Sequence, residues 1–367
     1  MLPTTPKSIA LRSSLKIGAI VALAAIASCS SQSASNLLPE HAREVLRGKP
    51  PTDVTAATPP ATGEPSQSSQ SADSWLGRIN YFRAMAGLDP VSADAKMSDG
   101  DLKHARYLVK NYAGSSDLGL DAHREDKQNK WYTPEGYIAA RTSDVIPAST
   151  VDLTEKQAID LWISGPFHRF PILNPALKQA GFGSYSEDGE SAMAMQLRMP
   201  SAYEDPGAPS PSHGSFIHET PPDDQAQADA AAQRVVEFPP ANSNFPLAAF
   251  SSGEWPDPLA SCPGYRTPTG FPITIQLGVP TKMQIQSTKL MSNDQPLEVC
   301  EFDASNYRGA DETQTATGRL LMHNNGAAVL IPRARLHSGQ SYEVTIVANG
   351  KQYQWTFRVA SAEPAKD

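Results

Sequence analysis

Two stretches of biased composition limit how much of this chain can form a hydrophobic core. Residues 30–72 are rich in Ser, Pro, Thr, Ala and Gln, and residues 201–231 are rich in Pro, Gly, Asp and Ala. Segments of this kind cannot bury enough apolar surface to offset the conformational entropy that folding removes. We therefore predict a tether at 30–72, a linker at 201–231, two folded domains at 73–200 and 232–361, and a tail at 362–367.

The first 29 residues have the features of an export signal. Three basic residues precede a short apolar run at 17–25, and small residues lead from this run to Cys29. The run is too short for a membrane-spanning helix, which needs about 20 apolar residues. The position of Cys29 resembles the lipobox of bacterial lipoproteins, in which the cysteine is lipidated and becomes the new N-terminus. An ordinary signal peptide with a chance cysteine is the alternative.

The lipobox resemblance implies an exported protein that is held to a membrane by the lipid on Cys29. Ser30 follows this cysteine, whereas lipoproteins retained at the inner membrane often have an aspartate there. The expected location is therefore the outer membrane or cell surface. The net charge is -8 and no basic tract follows the signal, so the sequence has no electrostatic footprint for nucleic acid.

The chain has only three cysteines, and their number fits export. If Cys29 carries a lipid, Cys262 and Cys300 remain as a pair, and an exported compartment permits disulfides. A bond between them would stabilise the fold by about 3–4 kcal/mol in the chain-entropy view. Two separate buried thiols are the alternative.

The two predicted domains have different periodicities. In the first, apolar residues recur at helical spacing over 73–87 and 98–112, Thr154 has the position of an N-cap, and 192–199 indicates a strand. In the second, short strand-like runs alternate with turn signals such as Asn349-Gly350, which favours a β-sandwich. The predicted strands are 273–277, 282–288, 297–302, 327–331, 342–348 and 353–359.

Three stretches of the first domain occur in the order and spacing of one protein family. Residues 78–90 contain an Asn, an Arg and then Gly-Leu before a Pro; residues 101–105 follow; and residues 158–169 lead to Ile-Leu-Asn-Pro and Gly-Phe-Gly. These stretches resemble the CAP superfamily (cysteine-rich secretory proteins, antigen 5 and plant pathogenesis-related 1 proteins), and especially its bacterial members. The resemblance implies an α-β-α sandwich with a cleft on one face.

The end of the second domain resembles the last strands of bacterial Ig-like domains. In those domains a Pro…Leu…Gly-x-x-Tyr-x-Val run leads into a final hairpin, and residues 331–346 and 355–359 reproduce this pattern. The expected fold class is therefore α+β: a CAP-type α-β-α sandwich followed by an all-β Ig-like sandwich. Because Ig-like modules are usually spacers or binders, we assign no chemistry to this domain.

The cleft of the CAP family usually presents two histidines and two acidic residues. His123 and His168 match the histidines. The acidic partners do not carry over, because the Gly-Glu-Asn-Ile motif has no counterpart and Gly165 stands at the second acidic position of eukaryotic members. Imidazole and carboxylate groups in one cleft can hold a divalent metal such as zinc or transfer protons near neutral pH.

Neighbouring residues are candidates for the rest of this cleft. Glu125 follows His123, Glu135 precedes a turn, and Arg169 either faces the cleft or pairs with a carboxylate elsewhere. Trp131 and Tyr132 either line the cleft or pack in the core. His104 is expected to have a packing or surface role, and the two matched histidines could likewise be purely structural.

Three functions remain open from the sequence. The first is an envelope module that binds a lipid, glycan or peptide in the cleft. The second is a metal-dependent hydrolase of envelope or extracellular polymers, with His123 and His168 as ligands and a carboxylate as base. The third is a structural lipoprotein with a vestigial cleft. The incomplete set of acidic cleft residues argues against a robust enzyme, and the lack of a nucleophile-elbow, His-Glu-x-x-His or Walker motif in the sequence weakens the enzyme hypothesis further.

Overall fold

The structure is a computed structural model, and all the residues that it describes belong to one unit, Leu37–Asp367. No helix within them is long and apolar enough to cross a membrane. The predicted signal with Cys29, nearly all of the tether, the linker and the tail lie outside the described residues. The described residues are 71, 73–115, 118–197, 234–251, 253–277 and 282–361.

Capping side chains explain where the helices of the N-terminal region begin. Ser74 and Asp94 accept hydrogen bonds from backbone N–H groups in the first turns of α1 (Trp75–Met85) and α2 (Ala95–Tyr112). Thr154, the predicted N-cap, forms a capping box at the start of its helix. The remaining helices of this region are a 3₁₀ helix (Gly119–His123), α3 (Pro134–Thr142), α4 (Glu155–Ser164) and α5 (Pro166–Ile172).

A three-stranded antiparallel sheet lies between two helical layers. Ala192, on its central strand, belongs to the same buried cluster as Leu108 of α2. Met193 and Met195 belong instead to the cluster that contains Trp162 of α4. Alternate residues therefore face opposite helical layers, which is the expected α-β-α arrangement. The strands are β2 (Ser143–Ser149), β5 (Glu190–Gln196) and β4 (Gly183–Glu187) in spatial order, and β1 (Ser92–Ala93) pairs separately with β3 (Gln179–Ala180).

Three residues of the CAP-like stretches maintain this framework. Arg83 is fully buried, and its guanidinium donates to the backbone carbonyls of four residues, one at the end of α5 and three in loops. The Asn80 amide both donates to and accepts from the backbone of Val91. Gly183 lies against α2, where a Cβ would come within 2.0 Å of the backbone nitrogen of Leu102. The motifs are thus explained largely by packing.

Two sheets form most of the C-terminal region. Val344 and Ile346 of one sheet share a buried cluster with Ile273 and Leu330 of the other, so the sheets enclose a common core. The strands are β6 (Val236–Phe238), β7 (Asn244–Phe245), β8 (Ala249–Phe250), β9 (Thr269–Gly270), β10 (Ile273–Gln276), β11 (Ile285–Ser292), β12 (Gln295–Pro296), β13 (Val299–Asp303), β14 (Ala327–Pro332), β15 (Ser341–Ala348) and β16 (Lys351–Val359). The spatial orders are β13-β14-β10-β6 and β12-β11-β15-β16-β7; all neighbours are antiparallel except β16 and β7, and β8 pairs with β9.

The hairpin predicted at Asn349-Gly350 joins β15 to β16. Ala348 pairs with Lys351, and Asn349 and Gly350 have φ values of 52° and 75°. Two consecutive residues with positive φ are what a tight two-residue hairpin turn requires, and Asn-Gly meets this requirement at low cost.

The C-terminal region also contains a helix that the strand pattern does not predict. This helix, α6 (Glu312–Asn325), begins at the N-cap Asp311 and ends at Gly326, whose φ is 51°. Its sequence is mostly polar and has few apolar residues at helical spacing, which explains why periodicity did not reveal it. The α+β fold class is confirmed, with a β-rich C-terminal region that includes this helix.

The predicted disulfide between Cys262 and Cys300 is confirmed. The two Cα atoms are 5.6 Å apart, and 38 positions separate the residues in the sequence. The bond attaches the end of a second 3₁₀ helix (Pro258–Ser261) to β13.

The N-terminal and C-terminal regions share one hydrophobic core. The ring of Phe82 on α1 packs against the rings of Phe238 and Phe245, at centroid distances of 6.3 and 6.2 Å. One buried cluster includes side chains from both regions. The sequence predicts two domains joined by a linker but gives no sign of this contact, which packs the C-terminal region against α1 of the N-terminal one.

Candidate functional site

A pocket lies where the two regions meet, and we call it the joint pocket. About 70 Å³ of it can hold the centres of water-sized molecules, and the whole space between its lining residues, with its opening to solvent, is about 680 Å³. The N-terminal region contributes the end of its first 3₁₀ helix, the junction of α3 with β2, helix α5 and the residue after β5. The C-terminal region contributes two residues before Asp257 and one face of α6. The lining residues are His123, Thr142, Ser143, Asp144, Phe167, His168, Pro171, Leu197, Trp255, Pro256, Thr317, Leu321 and Asn325.

Both histidines predicted from the CAP motifs line this pocket. His123 lies at the end of its 3₁₀ helix, and its Nδ1 is 3.0 Å from the carbonyl oxygen of Ala140. Because a carbonyl can only accept, Nδ1 donates, and Nε2 holds the lone pair of the neutral ring. Burial, together with the nearby His104 and His168, lowers the pKa of His123 to about 4. His123 is therefore neutral at pH 7.

His168 is bound by Glu254 from the C-terminal region. The Nδ1 atom and the backbone N–H of His168 both contact Glu254 Oε1, each at 2.8 Å. The Glu254 side chain is 2% exposed and that of His168 is 19% exposed. Burial alone would lower the pKa of His168, but the hydrogen bond to Glu254 and the charges of Asp144 and Glu254 outweigh burial and raise it to about 9. His168 is therefore a cation at neutral pH.

The carboxylate of Glu254 occupies the space beside Gly165. A Cβ at Gly165 would lie 2.5 Å from Glu254 Oε1 and 2.7 Å from its Cδ. Sequence reasoning missed Glu254 because it lies 86 positions after His168, in a Pro-rich segment without a motif. The one available signal was the glycine itself, at a position where the CAP resemblance implies an acid.

A second histidine–glutamate pair lies within the N-terminal region. His104 Nδ1 is 3.0 Å from Glu125 Oε1, and His104 Nε2 is 2.8 Å from the carbonyl oxygen of Ala122. Both side chains are completely buried. The pair fastens the 3₁₀ helix to α2, and Glu125 does not line the joint pocket. His104 has the packing role that its sequence context suggested.

Two other candidates from the sequence lie away from the pocket. Glu135 is in the exposed first turn of α3, where it pairs with Lys103 at 3.2 Å.

Arg169 follows His168 on α5. Because a helix turns by about 100° per residue, its side chain points away from the pocket that His168 lines. Its guanidinium lies against the rings of both Phe238 and Phe271 and donates to the Pro272 carbonyl. Arg169 therefore joins the two regions instead of facing the cleft.

Trp131 and Tyr132, which were expected in the cleft or the core, are in neither. Both are partly exposed on the surface, and neither lines the joint pocket. The guanidinium of Arg106 lies 4.3 Å from the centroid of the Trp131 ring, and Tyr132 packs against Tyr137. Their apolar surface is covered by neighbouring side chains of the same region.

The described residues do not provide a metal-binding set. They contain no group of three or more His, Cys, Asp or Glu side chains placed to hold one metal ion. Zinc sites in proteins use three or four such ligands. In addition, the Nδ1 atom of His168 is already engaged by Glu254, and a metal would have to displace a proton from that ring. His123 and His168 line one pocket, and zinc binding at this pair stays a prediction.

The comparison with known families agrees with the geometry of the N-terminal region. A family model described as "CAP: Cysteine-rich secretory protein family" matches residues 76–196, which extend from α1 to the end of β5. This segment is a CAP domain, as the sequence motifs predicted. The match ends before the C-terminal region. No curated protein matches the chain.

Proposed function

We propose that this protein is an exported envelope lipoprotein whose CAP domain binds a lipid, glycan or peptide ligand in the joint pocket. The observation that supports ligand binding is the pocket itself. It combines apolar walls from Phe167, Leu197, Trp255 and Leu321 with polar groups at one place. Concave sites with mainly apolar linings and a few converging polar groups are the usual form of small-ligand sites.

The polar groups of the pocket are suited to orienting a ligand. At neutral pH, His168 is a cation beside Glu254, and His123 is a neutral imidazole with a fixed tautomer. A ligand would thus meet two imidazoles of different charge within one apolar enclosure. The walls would supply affinity, and the histidines would select the orientation of the bound molecule.

Calorimetry on the full chain tests this proposal with three probes: palmitate, an oligomer of N-acetylglucosamine, and a short peptide. We expect one class to bind, and Trp255→Ala to weaken that binding roughly tenfold or more, because the pocket loses an aromatic wall. Trp131→Ala is the matched control, since Trp131 is a partly exposed tryptophan outside the pocket. Equal loss in both variants, or no binding of any probe, would contradict the proposal.

The alternative of a metal-dependent hydrolase is favoured by one observation, that His123 and His168 line the same pocket. Titration of the full chain with zinc at pH 7 distinguishes the two functions. We expect no tight binding, because Glu254 holds the proton on His168. Tight zinc binding that disappears in a His123→Ala/His168→Ala variant would place the hydrolase ahead of the binding module.

The envelope part of the proposal rests on the sequence around Cys29. We propose that the lipid on Cys29 holds the protein at the outer membrane or cell surface. The C-terminal sandwich, proposed to be Ig-like, would then keep the pocket at the end of the tether. Mass spectrometry of the mature N-terminus is expected to find a lipidated Cys29, and Cys29→Ser is expected to release the protein from the membrane fraction. An unmodified N-terminus would contradict the anchor.

A further inference from the structure

We propose that Glu254 is a positioning residue supplied by the C-terminal region, and that it completes the CAP pocket by orienting His168 in place of an acid that the CAP domain lacks. The pocket then depends on both regions. This inference rests on the proposed function in one respect, namely that the joint pocket is the ligand site.

The first support is that Glu254 contacts His168 at two points, its backbone and its ring. A single carboxylate oxygen accepts from both the backbone N–H and the ring Nδ1 of His168. Contact with the backbone fixes the position of the residue, and contact with the ring fixes its rotation. His168 therefore presents its Nε2 edge in a direction that the C-terminal region determines.

The second support is the fit between Glu254 and Gly165. The carboxylate lies where the Cβ atom of a larger residue at position 165 would be, so Glu254 can occupy this space only because residue 165 is glycine. Gly165 has φ of -80° and ψ of 123°, a conformation open to any residue. Backbone geometry therefore does not require glycine here, whereas the incoming carboxylate does.

The third support is the anchoring of the segment that carries Glu254. The backbone N–H of Asp257 donates to Gln314 of α6, and the carbonyl of Asp257 accepts from the Tyr307 hydroxyl at 2.8 Å. The Tyr307 ring is fully buried and packs against Phe167, the neighbour of His168, at 5.2 Å. The segment is thus fixed to the same helix, α5, whose histidine it orients.

The remaining oxygen of Glu254 distinguishes this contact from a simple structural tie. Among the described residues, Glu254 Oε2 is buried and has no hydrogen-bond partner. A buried carboxylate oxygen without a partner is costly, so a residue selected for stability alone would be expected to have one.

Histidine-selective nuclear magnetic resonance of the full chain, labelled with ¹⁵N at histidine, tests the proposal. In the unaltered protein we expect His168 to give the signals of a protonated, ordered imidazole at pH 7. Glu254→Gln keeps the size of the side chain but removes its charge, and it should shift the His168 ring signals while leaving those of His104 in place. Glu125→Gln is the matched control, because it changes the other buried pair and should shift His104 instead.

A rescue variant tests whether Glu254 replaces the missing acid. Glu254→Ala alone should leave His168 disordered. Adding Gly165→Glu returns a carboxylate to the vacated space from the CAP side, and should restore the wild-type pattern of His168. Circular dichroism shows whether each variant is folded, and Glu254→Gln decides the matter if the double variant does not fold.

Two results would overturn the proposal. One is an unchanged His168 spectrum in Glu254→Gln and Glu254→Ala, which would show that the ring is oriented by other groups. The other is a folded Glu254→Ala/Gly165→Glu variant without the restored pattern. These spectra need no ligand, so their failure is distinguishable from a failure of the calorimetric tests of ligand binding.

Discussion

The two histidine–glutamate pairs of this protein use the same chemical groups in different ways. In both, an imidazole Nδ1 lies about 3 Å from a glutamate Oε1 (3.0 Å for His104–Glu125 and 2.8 Å for His168–Glu254). The first pair joins residues 21 positions apart within the CAP domain, and the second joins residues 86 positions apart in different regions.

The difference between the pairs lies in the second nitrogen of each ring. His104 Nε2 contacts the Ala122 carbonyl, so both nitrogens of this ring are used inside the domain. His168 is 19% exposed and lines the joint pocket. The comparison teaches that a histidine–glutamate contact alone does not identify a site. What identifies it is whether the ring still has an edge directed at a pocket.

The largest expected effect comes from breaking the fully buried pair. His104→Ala leaves the carboxylate of Glu125 buried without its partner, which should lower the free energy of unfolding by about 3–5 kcal/mol. Urea denaturation measures this loss. His337→Ala, at an exposed position, is the control and should leave the free energy of unfolding unchanged. A small effect of His104→Ala would mean that the pair does not fasten the 3₁₀ helix.

A smaller and pH-dependent effect is expected from the second pair. The pKa of His168 is raised from 6.5 to about 9 on folding, so the stabilisation is complete below pH 6.5 and is lost as pH rises through about 9. Glu254→Gln should therefore be less stable than the wild type by up to about 3 kcal/mol at pH 6, and the gap should narrow towards pH 9.5. Thermal unfolding across this range measures it, and a gap that does not depend on pH would contradict the assignment.

His123 should produce the opposite slope. Folding lowers its pKa from 6.5 to about 4, so the unfolded chain binds an extra proton between these values. This residue therefore costs stability as pH falls from 6.5 to 4, and the loss should be smaller in His123→Gln. Comparison of the two proteins in urea at pH 7 and pH 4.5 tests the sign. Equal losses in both proteins would show that His123 titrates normally.

The smallest effect is expected at Glu135, which was a cleft candidate in the sequence. Its side chain is 49% exposed and pairs with Lys103 on the surface. Exposed pairs of this kind contribute little, so Glu135→Gln should change neither stability nor binding of a probe. A clear loss of binding would return Glu135 to the site.

Local signals predicted much of the fold. Capping at Thr154 and the Asn349-Gly350 turn follow from short-range chemistry, the Cys262–Cys300 bond follows from the number of cysteines, and all three are present. The helix α6 was missed because its buried face has few apolar residues, so the hydrophobic period that reveals most helices is weak.

The site was only partly predictable for a related reason. The histidines belong to a motif, whereas Trp255 reaches the pocket, and Glu254 reaches His168, through tertiary contacts between distant segments. Arg169 was misplaced because adjacency to His168 in sequence does not imply adjacency in space on a helix. Only Gly165 pointed to the missing partner, and a glycine cannot say which residue fills its space.

The most direct test of the joint pocket is the affinity of its ligand in the two glutamate variants. The probe that binds the wild type in calorimetry should be measured with Glu254→Gln and Glu125→Gln at pH 7. The structure predicts weaker binding in Glu254→Gln and unchanged binding in Glu125→Gln, because only the His168–Glu254 pair orients a ring at the pocket. Equal affinities in the wild type and both variants would contradict a ligand site that the C-terminal region completes.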